Sequence, residues 1–511
     1  MTVLIALPVL LPLLGAALSL ILGRRPDLQR VLALTVLSVV VVIASVLVHH
    51  TDTEGPIVLQ LGGYAAPFGI TLVADRLAAL LLLVSAVVTL AVLVFSIGQR
   101  VTDYGRETVS TTFQPAYLVL CAGVSLAYIT GDLFNLFVAF EIMLSASYVL
   151  ITRRTSARRV RAAMTYVIVS LTSSLLFITL IALVYAATGT INLAELSLAF
   201  RDLAPGIQTS IALLATVVFG IKAALVPLHF WLPDSYPTAP APITAVFAGL
   251  LTKVGVYVLI RTHTLIFQND TVWNVLLVVS ILTMIVGALG AIAQEDVNRL
   301  LSFLLVSHIG FMLFGLGMAT VVGVTGAILY VVHHITVQAA LFLVSGLLTR
   351  RTGTVSMREM SGVARSAPLV AVLFAVPALN LAGIPPFSGF IAKITLFRAG
   401  AESATVWAYA ATGAAVLTSF LTLYAMTRVW VGAFWGAERE PFPDADPTDE
   451  VTVGTGHSSM PMVVASSLLV VAGVVISLIA GPLATMSERA AEDLLDGDQY
   501  RTVVLPEGVS R

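Results

Sequence analysis

The chain's three lysines, Lys222, Lys253 and Lys393, each lie inside an apolar stretch long enough to cross a bilayer, whereas its arginines gather almost entirely at the ends of such stretches. An ammonium near mid-membrane costs about 2.5–3.5 kcal/mol on insertion scales, so three of them call for a use. Arginine, with a pKa above about 12, holds its proton, while a desolvated lysine can be tuned down by several units and exchange one. The division of labour between the two residue types points to a proton pathway. Glu141 is the one carboxylate deep in an apolar stretch, with Ser145 and Tyr148 on the same helical face, a stripe expected to look inward. A buried carboxylate and a buried lysine lower each other's cost, which makes Glu141 and Lys222 the first candidate pair, a purely structural ion pair being the simpler alternative.

Histidine, with an ordinary pKa near 6.5, exchanges protons readily. His308, His333 and His334 all fall in apolar stretches. Adjacent helical residues differ by about 100° in direction, so at most one of His333 and His334 faces a common path, and His334 is preferred. His229 and Asp234, close to the prolines of another stretch, are further relay candidates, whereas Asp132, Glu295 and Asp296 fall at stretch ends. No residue set suited to haem or metal is found, and a single cysteine, Cys121, excludes an internal disulfide or a cysteine-ligated cluster. No cofactor is expected.

The elements that must position these groups are membrane helices. With 58% hydrophobic and 11% charged residues, the composition is that of a polytopic integral membrane protein, and a net charge of −1 offers no basic field for nucleic acid. About 20 apolar residues span a bilayer. The sequence predicts an all-α fold of about fourteen transmembrane helices, near 3–22, 31–48, 76–97, 115–130, 133–151, 163–187, 208–235, 240–262, 272–293, 298–319, 323–348, 368–399, 404–432 and 461–481. The first run has no basic region before it and is read as a retained helix rather than a signal peptide. Every second loop carries arginine: Arg24, Arg25 and Arg30; Arg100 and Arg106; Arg153, Arg154, Arg158, Arg159 and Arg161; Arg299; Arg350, Arg351, Arg358 and Arg365; Arg439. Positive loops face the cytoplasm, which puts both termini outside the cell membrane.

Proline interrupts two spans, through Pro227 and Pro233 in the first and Pro377, Pro385 and Pro386 in the second, and each carries a lysine near its break. Broken helices at membrane depth line cavities, and a matched pair is a mark of inverted repeats. The expected organisation is a three-helix segment over 1–112, five-helix repeats over 113–262 and 272–432, and, over 433–511, a cytoplasmic loop, a last helix and an external tail.

Four segments in order, GDLFNLFVAFE at 131–141, KAALVPLHFWLPD at 222–234, LTKVGVY at 251–257 and LAGIPPFSGFIAK at 381–393, resemble the antiporter-like subunits shared by respiratory complex I, membrane-bound hydrogenases and Mrp-type sodium/proton antiporters. The resemblance covers nearly the whole chain. Its length, and the wording around Glu141, are most similar to the Mrp D subunit. The resemblance implies a secondary ion transporter subunit rather than an enzyme, with Glu141 and Lys222 as the coupled pair, Lys253 central, His334 and its neighbour a relay, and Lys393 terminal. It implies other membrane subunits as partners and protons and sodium as the ions moved; because sodium prefers oxygen ligands and the chain has one deep carboxylate, sodium is expected to pass largely through those partners. Lys393 disfavours one of the complex I subunits, which looks to have glutamate there. Gln338 departs from several relatives that have lysine at that position, so transfer there would fall to His334 and water. A proton-pumping subunit of complex I or of a membrane-bound hydrogenase is the alternative, and a membrane scaffold with vestigial ion pairs the third.

Overall fold

In a bilayer every backbone polar group must find a partner within the protein, and helices provide one inside each segment. The computed structural model describes residues 1–99, 112–152, 157–437 and 458–505, without the side chains of 157–159. Helices α1 (Leu7–Ile21), α2 (Pro26–Thr53) and α3 (Arg76–Gly98) come first, with strands β1 (Ile57–Gln60) and β2 (Thr71–Ala74) between α2 and α3. Next are α4 (Phe113–Ile129), α5 (Leu133–Thr152), α6 (Ala157–Thr188), the short α7 (Leu193–Ala199), α8 (Pro205–Ala223) and the short α9 (Trp231–Ser235). Helix α10 (Ala241–Val246) continues through a π-helical turn, Phe247–Leu251, into α11 (Thr252–Leu265). The remainder comprises α12 (Asp270–Ile292), α13 (Val297–Gly317), α14 (Val321–Thr352), the short α15 (Val363–Ser366), α16 (Pro368–Ala382), α17 (Ser388–Ser403), α18 (Val406–Val429), α19 (Met460–Leu478), α20 (Ala480–Asp496) and α21 (Asp498–Val504).

Eleven described segments are long and apolar enough to cross a membrane, and α1, α4 and α16 are shorter apolar helices. The nearly all-helical fold is as expected, with two differences. The linker after α2 folds into an antiparallel hairpin, Ile57 facing Ala74, because four-residue strands leave little periodicity to read. The stretch expected as a tail after the last span is helical, forming α20 and α21, which bury Leu483, Met486, Ala490, Leu494 and Tyr500. Among the arginines behind the expected orientation, Arg100, Arg106, Arg153, Arg154 and Arg439 lie outside the described residues, as do the side chains of Arg158 and Arg159.

The most apolar stretches of Ala241–Leu265 and α14 are wholly buried, whereas α2, α18 and α19 bury a third or less of theirs and present an apolar periphery. Helix starts are set by side-chain caps: Asp75 accepts from the Ala78 N–H, Asp296 from Arg299 and Thr405 from Ala408. The two proline-containing spans end as helices where the chain turns left-handed. Ala224, at φ 61°, closes α8 three residues before Pro227, and Gly383, at φ 87°, closes α16 before Pro385. Beyond the first break, the freed Val226 N–H donates to Thr283 Oγ1 on α12 at 3.2 Å. Beyond the second, the Gly389 N–H donates to Asn380 Oδ1 at 2.9 Å and the Ser388 N–H to Ser477 Oγ at 2.7 Å. Irregular backbone is thus kept satisfied at membrane depth by polar side chains from neighbouring helices.

Candidate proton-transfer site

Glu141 projects from α5 toward Ser174 on α6, and Lys222 sits in the last turn of α8. Ser174 joins them: its hydroxyl donates to Glu141 Oε1 and accepts from Lys222 Nζ at 3.1 Å. The expected pair is therefore bridged by a serine rather than in direct contact. Lys222 also lies 5.3 Å from the centre of the Phe140 ring. Ser145, expected on the inward stripe with Glu141, is exposed instead, and Glu141 itself is half-buried at the flank of the bundle. The helix has turned the carboxylate to its neighbour α6 and left the position one turn on facing out. Sequence reasoning misses Ser174 because a serine in an apolar span is unremarkable alone, but it belongs to a polar run, Ser170, Thr172, Ser173 and Ser174, which is the available signal.

Lys253 is fully buried on α11. Its ammonium donates to the Ala248 carbonyl, inside the π-helical turn, at 2.6 Å, and to Thr252 Oγ1 at 3.3 Å. Such turns insert an extra residue and redirect backbone carbonyls. Gly255 lets α11 press against the end of α8, since a Cβ there would stand 2.7 Å from the Ala223 nitrogen. The helices carrying Lys222 and Lys253 are thereby held backbone to backbone.

His308, His333 and His334 are all fully buried and gather between α13 and α14. His308 Nδ1 pairs with the Tyr330 hydroxyl at 2.7 Å and Nε2 with Thr422 Oγ1 at 3.2 Å. His333 Nδ1 pairs with Ser388 Oγ at 3.0 Å, and Ser388 in turn donates to Asn380 Oδ1 at 3.2 Å. The His334 ring lies 5.3 Å from that of His308, and neither of its nitrogens has a hydrogen-bond partner among the described residues. Gln338 donates to the Leu301 carbonyl at 2.9 Å, while its Oε1 is likewise unpartnered. The adjacent histidines do diverge, His333 toward the second broken helix and His334 toward His308.

Lys393 completes the set from α17. Its ammonium donates to the carbonyls of Leu381 and Ala382, at 3.1 and 2.8 Å, the last of α16 before the break. A helix C-terminus is the negative end of the peptide dipoles, so the break itself supplies the cation's seat. The centre of the Phe311 ring lies 5.1 Å away and stacks on Tyr330 at 5.0 Å. The two outlying candidates do not join this interior. Half-buried His229 has no partner for Nδ1 among the described residues, and Asp234 pairs at the surface with Arg299 at 2.8 Å.

One buried charge pair escapes the sequence reading. Arg261 on α11, 5% exposed, holds Asp75 through contacts of 2.6 and 2.7 Å and lies 5.6 and 5.2 Å from the rings of Tyr257 and Tyr500. Nearby, Asp52 takes Arg489 in a forked contact at 2.6 and 2.7 Å and Arg76 at 3.2 Å, and Arg76 also holds Asp493. Burial holds the Asp493 carboxyl above the usual carboxylate range despite that arginine. These contacts fasten α20 and α21 to the bundle. Arg261 falls at the end of the span read at 240–262, like other arginines, and lies inside the helix only because α11 runs on to Leu265.

Residues 130–422, which hold nearly all of this interior, match the transmembrane family described as NADH:quinone oxidoreductase/Mrp antiporter. The chain belongs to that family. It is 37% identical over 507 residues to the D subunit of the Na(+)/H(+) antiporter of Alkalihalophilus pseudofirmus, covering 99% of each chain. It is 34% identical over 507 residues to the protein of the same name from Bacillus subtilis, covering 98% of this chain and 99% of that one. In structure it is similar to a chain of the Mrp complex from Dietzia sp., with a TM-score of 0.90, 32% identity, and coverage of 99% and 100%. A chain of the membrane-bound sulfane sulfur reductase, an archaeal respiratory membrane complex, superposes with a TM-score of 0.87 at 25% identity over 98% and 99% of the two chains. The resemblance drawn from the four sequence motifs holds, including its narrowing to the Mrp D subunit. This is a multi-pass membrane protein whose relatives are antiporter subunits of multisubunit complexes.

Proposed function

We propose that this chain is the proton-carrying D subunit of a multisubunit sodium/proton antiporter, moving protons along Glu141, Lys222, Lys253, His334 and Lys393 and coupling them to sodium efflux. The observation that carries the reading is the Ser174 bridge between a carboxylate and a buried lysine, followed inward by lysines seated on carbonyls and by histidines with nitrogens that have no partner among the described residues. With Glu141 ionised and the bridge closed, the charged form of Lys222 is stabilised. When the bridge opens, the buried ammonium loses its counter-charge and passes its proton on. Waters are the natural joints at His334, at the free oxygen of Gln338 and at His333 Nε2, each buried and unpartnered among the described residues.

We further read residues 113–262 and 272–432 as inverted repeats, because each holds a broken helix, and both termini as external, because the arginine loops alternate. Sodium prefers oxygen ligands and Glu141 is the one carboxylate deep in an apolar stretch, so we read its route as lying largely in partner subunits. Likeness to the archaeal respiratory complex keeps a redox-driven proton pump as the second reading, against which stands the full-length match to antiporter D subunits. Glu141→Ala and Lys222→Ala should each abolish exchange in everted vesicles, the double change being less than additive. Normal exchange by either single variant in a fully assembled complex refutes the coupled pair.

A further inference from the structure

A cavity of about 20 Å³ opens beside Lys222, bordered by Ser170, Ser173, Tyr166, Trp231 and Tyr236. A water needs roughly 10–15 Å³ and two to four polar partners, so the space admits one. Trp231 is 5% exposed and Tyr236 not at all, yet neither the indole N–H nor the phenol oxygen has a hydrogen-bond partner among the described residues. Buried indoles and phenols usually find one, and an unmet group of this kind costs about 1–3 kcal/mol. Two residues with unmet polar atoms line one small cavity that Lys222 also lines, a place suited to a held water.

The same residues close it. Trp231 packs on Tyr166 and on Tyr236 with ring centres 5.5 and 5.7 Å apart, and Tyr236 packs on Phe247 at 5.6 Å. Both belong to the short segment after the first break, which also carries the exposed, arginine-paired Asp234. Pro233 and Pro237 interrupt backbone donation there, so the segment has fewer internal bonds to hold it than a regular helix.

We infer that Trp231 and Tyr236 hold a water against Lys222 and gate its proton access from the end of the molecule that bears Asp234. The held water passes one proton to neutral Nζ and takes one from water beyond the rings, so it is restored at each cycle. The inference rests on Lys222 being a proton carrier, and it adds two positioning residues.

The test uses the intact complex. Tyr236→Phe and Trp231→Phe each remove a polar atom and keep a ring, and Ser170→Val fills the cavity with methyl groups. Each should slow sodium/proton exchange by about tenfold, the equivalent of about 1.4 kcal/mol in barrier, at unchanged assembly. Radiolytic hydroxyl-radical labelling reads the water itself. Tyr236 should be oxidised faster than Tyr117, which is equally buried but bonded to the Thr89 carbonyl at 2.8 Å, and Ser170→Val should abolish the excess. Labelling no faster than at Tyr117, or exchange unchanged in both ring variants while Lys222→Ala is dead, overturns the gate alone. Normal exchange in an assembled Lys222→Ala complex overturns the proton-carrier reading and the gate with it.

Discussion

Replacing Ser174 by alanine removes the hydroxyl that bonds both Glu141 and Lys222. A hydrogen bond to a charged group contributes about 1.5–3 kcal/mol. Lys222 is only 7% exposed and has no other hydrogen-bond partner among the described residues. One such interaction lost from the transfer step slows it about ten- to hundred-fold. Ser174→Thr keeps the hydroxyl and should stay near the natural rate. The assay is the initial rate of sodium-driven proton movement in everted vesicles, normalised to complex quantified by blotting. A fully assembled Ser174→Ala complex exchanging within about twofold of the unaltered one would show that the carboxylate and the lysine communicate without the bridge, and the coupling argument would fail.

Lys393→Arg keeps the charge but holds its proton, with a pKa above about 12, so exchange should fall nearly as far as in Lys393→Ala; near-normal exchange in vesicles at about pH 7–9 would leave Lys393 as a fixed counter-charge. Gly383→Ala would place a Cβ 2.8 Å from Lys393 Cδ and 3.1 Å from Nζ, at a φ of 87° that costs a side chain about 1–2 kcal/mol, so exchange should be lost while the assembled complex survives. Unchanged exchange there would mean that the carbonyl seat at the break is dispensable. Arg261→Leu leaves Asp75 buried without its partner and should destabilise the chain by about 3–5 kcal/mol, read as a lowered unfolding midpoint in detergent, with Asp75→Asn added to it costing less than the sum. An unshifted midpoint in Arg261→Leu would remove this pair from the clasp on the C-terminal helices.

The sequence exposes most strongly what the bilayer forbids elsewhere. Lysines in apolar runs and prolines in spans are expensive enough to stand out singly, and the broken helices lie where the prolines mark them. Features that depend on small differences between neighbours stay hidden. The direction of a side chain around α5 decides whether Ser145 or Ser174 serves Glu141, and a nearly uniform apolar helix carries no periodicity to fix that rotation. The hairpin after α2 and the C-terminal α20 and α21 escape notice for the converse reason. They are short or amphipathic segments outside the long apolar runs, and they are held by Asp75, Arg261, Asp52, Arg489 and Asp493, whose pairing is a tertiary fact. Nor is the partner of Arg261 legible, since 186 residues separate it from Asp75.

The partners chosen for the three lysines bear on how a buried base can alternate between charged and neutral forms. A direct carboxylate partner favours the ammonium so strongly that proton release would strand a bare anion beside a neutral amine. A carbonyl oxygen makes no such demand, because it accepts from an N–H whether the nitrogen is charged or not. Lys253 and Lys393, the inner two, both rest on carbonyls, one redirected by a π-helical turn and the other freed by a helix break. Each seat can therefore persist through a cycle of protonation. Lys222 alone is linked to a carboxylate, and there a hydroxyl stands between, weakening the attraction and offering a contact that a small rotation can break. If the proposed path holds, the irregular backbone supplies uncharged partners to the two inner lysines, and the carboxylate linked to Lys222 stands at the flank of the bundle.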